Sequence, residues 1–371
     1  MSDEGQTITR QEQETIQEEN LIENILEEEP DEKIIFRYSI TSYGADYTLD
    51  SLVRRIQDGS IYVPSFQRAY VWKIQDASRF IESLLLGLPV PGIFLSKEQD
   101  TQKLLVIDGL QRLRTLQYFY EGIFAPAKKE FALKDVNSNF EGATYKSLPS
   151  EYRRSLDDSI LHATIVKQDE PSDDNSSIYQ IFERLNTGGK ILASQEIRTC
   201  IYHGKFKDLL QQLNQNNSWR EIFGKSDPRM RDEELVLRFL ALYFNGNNYH
   251  KPMKEFLNQF MGKNQGLNLH LQPNLRQSFE QTIEVIHQSL GNQAFKPKKM
   301  INAAVFDAVM IGIARRLEKG KIDNSEKLKD IYQKLLNDEK FRRFTVDTAR
   351  TTEKDAVNSR IEIATQAFAA L

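Results

Sequence analysis

Apolar residues at three- and four-residue spacing set out most of the secondary structure. Phe80, Ile81, Leu84, Leu85 and Leu88 fall on one stripe and predict a helix over 74–88, stopped by Pro89 and Pro91. A shorter helix is expected over 49–57, closed by Asp58-Gly59, followed by an extended run over 61–63 that Pro64 ends. Two β-like runs, 92–96 and 104–107, are joined by a polar link fit for a hairpin. A helix over 110–120, a strand over 160–166 and a helix over 178–185 complete this half, with Ser176 or Ser177 as cap of the last. From about residue 195 helices dominate: 195–202, 206–214, 232–243, 275–290, 302–317, 325–337 and 356–371. Residues 235–243 are apolar nearly all round, as a central helix requires. The pattern predicts an α+β first half and an all-α second half.

Composition narrows the class. Over 371 residues, 40% are hydrophobic and 27% charged, the balance of a soluble globular protein. No apolar run approaches the roughly 20 residues that span a bilayer, and the N-terminus lacks the basic-then-apolar order of a secretory signal. Cys200 is the only cysteine, which excludes an intrachain disulfide and a cysteine zinc cluster and suits a cytoplasmic protein. The net charge of −4 divides unevenly. Residues 1–32 hold twelve acids and one base, leaving 48 bases against 41 acids, a net of +7, in the remainder. Residues 1–37 are expected to be an acidic, flexible leader: either a solvated tail or a detachable cover over a basic groove.

Three segments can carry chemistry. In 104–119, LLVIDGLQRLRTLQYF, a buried strand runs into the Asp108-Gly109 turn and a helix starts at once. A helix N-terminus offers free N–H groups and a positive dipole end, which favour phosphate. Gly109 permits close approach of a ligand to the backbone, and Gln111, Arg112, Arg114 and Thr115 fall in the first turn or so. Arg112 can grip phosphate with its planar fork, and Asp108 can hold a metal or orient a water. The same strand–turn–helix also occurs for packing reasons alone. In 62–72, YVPSFQRAYVW, Gln67 and Arg68 sit beside Phe66, Tyr70 and Trp72. Arg68 either stacks on those rings in a site or pairs with an acid while the aromatics are core. In 181–198, IFERLNTGGKILASQEIR, the loop Asn186-Thr187-Gly188-Gly189 either caps the preceding helix or closes over a ligand. Glu183, Arg184, Glu196 and Arg198 can form an ion-pair network supporting it.

Other chemistries lack their patterns. The five histidines (His162, His203, His250, His270, His287) are scattered without metal-ligand spacing, and there is no Walker loop or nucleophile elbow. The basic patch of Lys296, Lys298, Lys299, Arg315 and Arg316 reads as a solvated helix edge rather than a DNA contact.

The three segments, in this order and spacing, resemble the N-terminal domain of GmrSD-type restriction systems over about residues 45–205. MRDEELVLRFLAL and MINAAVFDAVM are similar to the helical continuation of single-domain members. The resemblance implies a small ParB/sulfiredoxin-like mixed sheet with helices over 38–192 and an all-α domain over 193–371. It implies a module that binds and hydrolyses a nucleoside triphosphate with Mg2+, in phage defence or in sensing of DNA modification. The family's DGQQR turn maps onto Asp108, Gly109, Leu110, Gln111 and Arg112, departing only at Leu110. Asp108, Gln111 and Arg112 then act in catalysis. Gln67, Arg68, Gly109, Arg114, Thr115, Arg184, Asn186, Thr187, Gly188 and Gly189 surround the nucleotide, and no residue is assigned as a dedicated metal ligand. The histidine-dependent nuclease domain of complete members has no counterpart after residue 195, so cleavage would fall to a partner nuclease subunit. The alternative is a non-catalytic DNA-binding or sensing subunit whose basic turn grips backbone phosphate. Homo-oligomerisation is left open.

Overall fold

A computed structural model of the chain describes residues 22–23, 39–63, 70–98, 101–170, 176–185, 192–267, 269, 272–348 and 350–371. Two compact units divide it: Phe36–Leu192 with Thr199–Ile201, and Ala193–Arg198 with Tyr202–Leu371 and the N-terminal Met1–Ile35. The fold is α+β. Among the described residues no helix is long and apolar enough to cross a membrane.

Within the leader, strand β1 (Ile22–Glu23) pairs in parallel with Ile301–Asn302. The first unit then runs β2 (Ser39–Thr48), α1 (Leu49–Gln57), β3 (Ile61–Tyr62), α2 (Ile74–Leu85), β4 (Ile93–Lys97), β5 (Leu104–Asp108) and α3 (Leu110–Glu121). A two-residue ladder of β6 (Ile123–Phe124) and β7 (Lys129–Glu130) follows, then α4 (Ser150–Asp158), β8 (Ile160–Glu170) and α5 (Ser176–Leu185). The five-stranded sheet has the order β2-β8-β4-β5-β3. It is mixed: β2/β8 and β4/β5 are antiparallel, β8/β4 and β5/β3 parallel.

One sheet face carries the core. Ile93, Leu95, Val106, Leu161, Ala163 and Ile165 pack there against Leu52 and Val53 of α1, Ile81 and Leu84 of α2, and Leu113, Leu116 and Phe119 of α3. Leu105, Ile107 and Val166 are buried on the other face, where α5 packs on β5 and β8. The expected hairpin of β4 and β5 is present, with Glu98 N–H donating to the Lys103 carbonyl at 3.0 Å.

Two expectations need correction, and two elements were not expected. The helix predicted over 74–88 ends at Leu85. The Leu88 N–H turns back to the Ser83 carbonyl (2.8 Å) around Gly87 (φ +67°), which closes the helix and leaves Leu88 half in solvent. At α5, the Ser177 N–H is taken by the Gln168 side chain of β8 at 3.2 Å, and the Ser177 hydroxyl also hydrogen-bonds Gln168. Strand β2 and helix α4 have no apolar pattern that announces them: β2 is exposed over most of its length, and α4 buries only Leu156.

The second unit is helical: α6 (Ser194–Ile201, residues 199–201 belonging to the first unit), α7 (Lys205–Asn214), α8 (Asn217–Phe223), α9 (Arg231–Asn245), α10 (Met253–Asn264) and α11 (Gln272–Leu290). Strand β9 (Ile301–Asn302), α12 (Ala303–Leu317), α13 (Ser325–Asn337), α14 (Glu339–Arg343) and α15 (Lys354–Phe368) complete it. As the pattern predicts, α9 is central: every residue from Arg231 to Leu242 is buried. Burying its charges requires partners. Asp232 is paired with Arg220 at 2.9 Å, Glu234 with Arg198 at 2.8 Å, and Arg238 with Asp307 at 2.6 Å. Arg360 of α15 joins the same Asp307 carboxylate at 2.8 Å, tying α9, α12 and α15 at one buried point.

Candidate functional site

Strand β5 carries the candidate turn out of the core. Phe94 lies opposite Asp108 and Leu95 opposite Val106, so Ile107 is an extra residue and the strand bulges there. Such a bulge re-aims the side chain that follows it, here Asp108. Gly109 then takes φ +106°, a left-handed conformation that favours glycine, and a Cβ at this position would collide with Ile93 Cγ2. The glycine is therefore demanded by backbone and packing: the space beside it is filled by Ile93 rather than held for a ligand.

With glycine as N-cap, α3 starts without a side-chain cap, and its first turn contains no acid. Only at Leu113, whose N–H reaches the Gly109 carbonyl at 2.9 Å, does the intrahelical ladder begin. The N–H groups of Leu110, Gln111 and Arg112 are left with no intrahelical acceptor. Arg112 folds back on Asp108, Nη2 to Oδ2 at 2.6 Å, with 15% of its side chain and 42% of that of Asp108 exposed. Its Nε is buried with no hydrogen-bond partner.

The neighbours of this pair serve the scaffold. Gln111 Oε1 accepts from the backbone N–H groups of Val71 (3.0 Å) and Trp72 (3.3 Å), which moors residues 70–72 to the turn. Thr115 is fully buried, its hydroxyl shared between Tyr70 Oη and the Gln111 carbonyl, both at 2.7 Å. Burial pushes the Tyr70 phenol up to about 12, so it stays a neutral partner of Thr115. Arg114 Nη1 donates to Gln117 at 2.7 Å along the helix. Arg184 lies exposed in the last turn of α5. Gln67, Arg68, Asn186, Thr187, Gly188 and Gly189 lie outside the described residues.

Of the charged residues expected to support the 186–189 loop, Glu196 and Arg198 make pairs within the helical unit. Glu196 accepts from its own N-cap, the Ala193 N–H (2.6 Å), and pairs with Arg229 at 2.8 Å, while Arg198 reaches Glu234 and Asn258. These carboxylates and guanidiniums hold the helical unit together.

One pair was invisible to sequence reasoning: His162 Nδ1 lies 2.8 Å from Asp46 Oδ1, across β8 and β2. The two are 116 positions apart on different strands, and Asp46 lies in a strand with no apolar alternation, so no local spacing signals them. Among the described residues no group of three or more His, Cys, Asp or Glu is placed to hold a metal ion. In the second unit, Lys296 of the basic patch donates to the carbonyls of Ile222 (2.7 Å) and Asn292 (2.9 Å), and burial lowers its pKa. That ammonium is engaged by the fold. A cavity of about 740 Å3 within this unit is lined by Asn245, Tyr249, His250, Lys263 and Asn264 among others, and by none of the predicted site residues.

A family model described as the GmrSD restriction endonuclease, N-terminal domain, matches residues 49–203. No curated protein matches the chain.

Proposed function

Taking residues 49–203 as a member of the GmrSD N-terminal domain family, and the chain as a protein of a GmrSD-like restriction system, we propose that the first unit binds and hydrolyses a nucleoside triphosphate. The observation that carries this reading is the uncapped start of α3 at the end of a buried strand, with Arg112 resting on Asp108 beside it. Three unfilled N–H groups and a dipole end converge where one cation and one carboxylate meet. The phosphates take the N–H groups, and Arg112 turns its fork from Asp108 to a phosphate oxygen, where its idle Nε also finds an acceptor.

Asp108, released from Arg112, is then free to orient a water. The water adds to the γ-phosphorus as the bond to the β,γ-bridging oxygen breaks, giving a nucleoside diphosphate and phosphate. Fixed donors suit the charge that builds on the transferring group. Mg2+ ordinarily arrives on the phosphates and needs only one or two protein carboxylates, and Asp108 fits that role. Bound Mg2+ would neutralise phosphate charge. Gln111 keeps residues 70–72 at the turn, and this reading assigns the preceding Gln67 and Arg68 to the pocket wall and Asn186–Gly189 to its lid. Nuclease activity in this reading comes from a partner subunit.

The net +7 of residues 33–371 favours a second reading, in which the same turn grips DNA backbone without catalysis. The two readings separate by titration. A nucleotide pocket saturates at one ligand per chain and releases phosphate from it. A DNA backbone contact shows affinity falling with salt at a log–log slope near roughly −0.9 per neutralised phosphate. Arg112→Ala is expected to lower triphosphate affinity roughly ten- to hundredfold, the loss of one or two charge-assisted hydrogen bonds. Arg112→Lys should recover only part of it.

A further inference from the structure

The strands beside the Asp108 turn carry a hydrogen-bonded His–Asp pair for which the proposed hydrolysis has no use. Asp46 and His162 face each other in register on β2 and β8, and two residues along these strands a row crosses the sheet: Gly44 with Thr164, Thr164 with Phe94, Phe94 with Asp108. Alternation fixes the face. Ile93, Leu95, Leu161, Ala163 and Ile165 point into the core, so Phe94, His162 and Thr164 point to the opposite face, which Asp46 shares through its hydrogen bond to His162. Asp108, placed opposite Phe94 by the bulge, stands at the end of the same row.

This strip is open. The side chains of Asp46, His162 and Asp108 are 67%, 59% and 42% exposed, and Phe94 and Thr164 are half-buried. It crosses from β5 to β2, three strand spacings of about 4.8 Å, or about 14 Å. A ligand holding its phosphates at the start of α3 has room for its remainder over Phe94 and Thr164. The far end is built rather than incidental. A Cβ on Gly44 would lie 2.8 Å from His162 Cε1 and 3.3 Å from Nε2, so the imidazole sits over bare backbone. A carboxylate can only accept, so Asp46 takes Nδ1–H, and in the neutral imidazole Nε2 is then the acceptor.

We propose that this strip seats the nucleoside of the same ligand, with Phe94 as its platform and His162, oriented by Asp46, accepting a hydrogen bond from a nucleoside hydroxyl or amine. The proposal rests on the triphosphate reading of the Asp108 turn. It makes His162 and Phe94 the residues that distinguish a nucleotide from a bare polyphosphate.

The test compares Mg2+ complexes of ribonucleoside triphosphates, their 2′-deoxy forms and inorganic tripolyphosphate, titrated against the full chain and against Arg112→Ala, His162→Ala and Phe94→Leu. His162 is exposed, and a thermal melt superimposable on the parent's would establish that its variant folds. The parent should bind at least one nucleotide about tenfold or more above tripolyphosphate, the size of one stacking or hydrogen-bonding contact. His162→Ala and Phe94→Leu should erase that margin and leave tripolyphosphate affinity unchanged, whereas Arg112→Ala should weaken both ligands by a similar factor. A deoxy form bound as weakly by the parent as by His162→Ala would identify a ribose hydroxyl as the donor, and one bound normally would identify the base. If His162→Ala keeps the full nucleotide margin, or the parent shows none, the nucleoside strip is overturned while the phosphate site stands. A parent that binds neither ligand removes both.

Discussion

Arg112 holds Asp108 through one guanidinium nitrogen at 2.6 Å while its buried Nε has no acceptor, an arrangement that leaves most of the fork unspent. The residues around it are committed to building the turn. Gly109→Ala forces a side chain into φ +106° and onto Ile93, and is expected to destabilise the fold by about 2–4 kcal/mol in denaturant unfolding. Gln111→Ala leaves the Val71 and Trp72 amides without their acceptor. Hydrogen exchange should quicken at those two amides, with a stability loss of about 1–2 kcal/mol. Unchanged exchange there would mean that Gln111 is free to serve a ligand instead. The stretch from Asp108 to Thr115 was legible as a site because one strand, one turn and one helix present it in consecutive residues. What each residue does was less legible. Gln111 binds a segment 40 positions away and Thr115 is sealed in the core, neither of which local spacing records.

Among elements, those with a dense apolar stripe could be read directly, and those held by pairing could not. Helices α1, α2 and α3 bury a stripe against the sheet, and their predicted starts agree with the structure. Among the described residues strand β2 is a long edge strand paired with β8 alone, and its mostly exposed side chains leave no alternation in its sequence to find. Helix α4 buries a single leucine. In the helical unit the apolar character of α9 identified the central element but hid its charges. Arg238 and Arg360 converge on Asp307 from two other helices, and all three are buried. Asp307→Ala would strand two guanidiniums in the core and is expected to cost about 3–5 kcal/mol, or to prevent folding. Asp307→Asn should cost less, and equal stabilities of the two variants would argue against a charge role.

At the scale of the whole molecule, charge and titration set the conditions for function. The acidic first 32 residues offset a body of net +7, so a chain lacking them should bind any polyanion more tightly if the leader covers a basic surface. Equal affinities would leave the leader a solvated tail. Alkaline stability follows from the tyrosines. Burial raises Tyr70 and Tyr332 from the ordinary 10.0 to about 12, which favours their neutral form in the fold. Their contribution is fully present below pH 10 and is lost as pH rises through about 12. Tyrosinate absorbance from these residues should therefore emerge together with unfolding rather than ahead of it.

The central claim is that the Asp108–Arg112 turn is a triphosphate site, and thermal unfolding with each of the four ribonucleoside triphosphates, with and without Mg2+, tests it most directly. A ligand at about 100 times its dissociation constant adds roughly 2.7 kcal/mol of stability, a shift such a scan resolves. The account predicts that at least one nucleotide raises the unfolding midpoint of the parent and raises that of Arg112→Ala clearly less at the same concentration. Equal shifts in both proteins, or none in the parent, would contradict it.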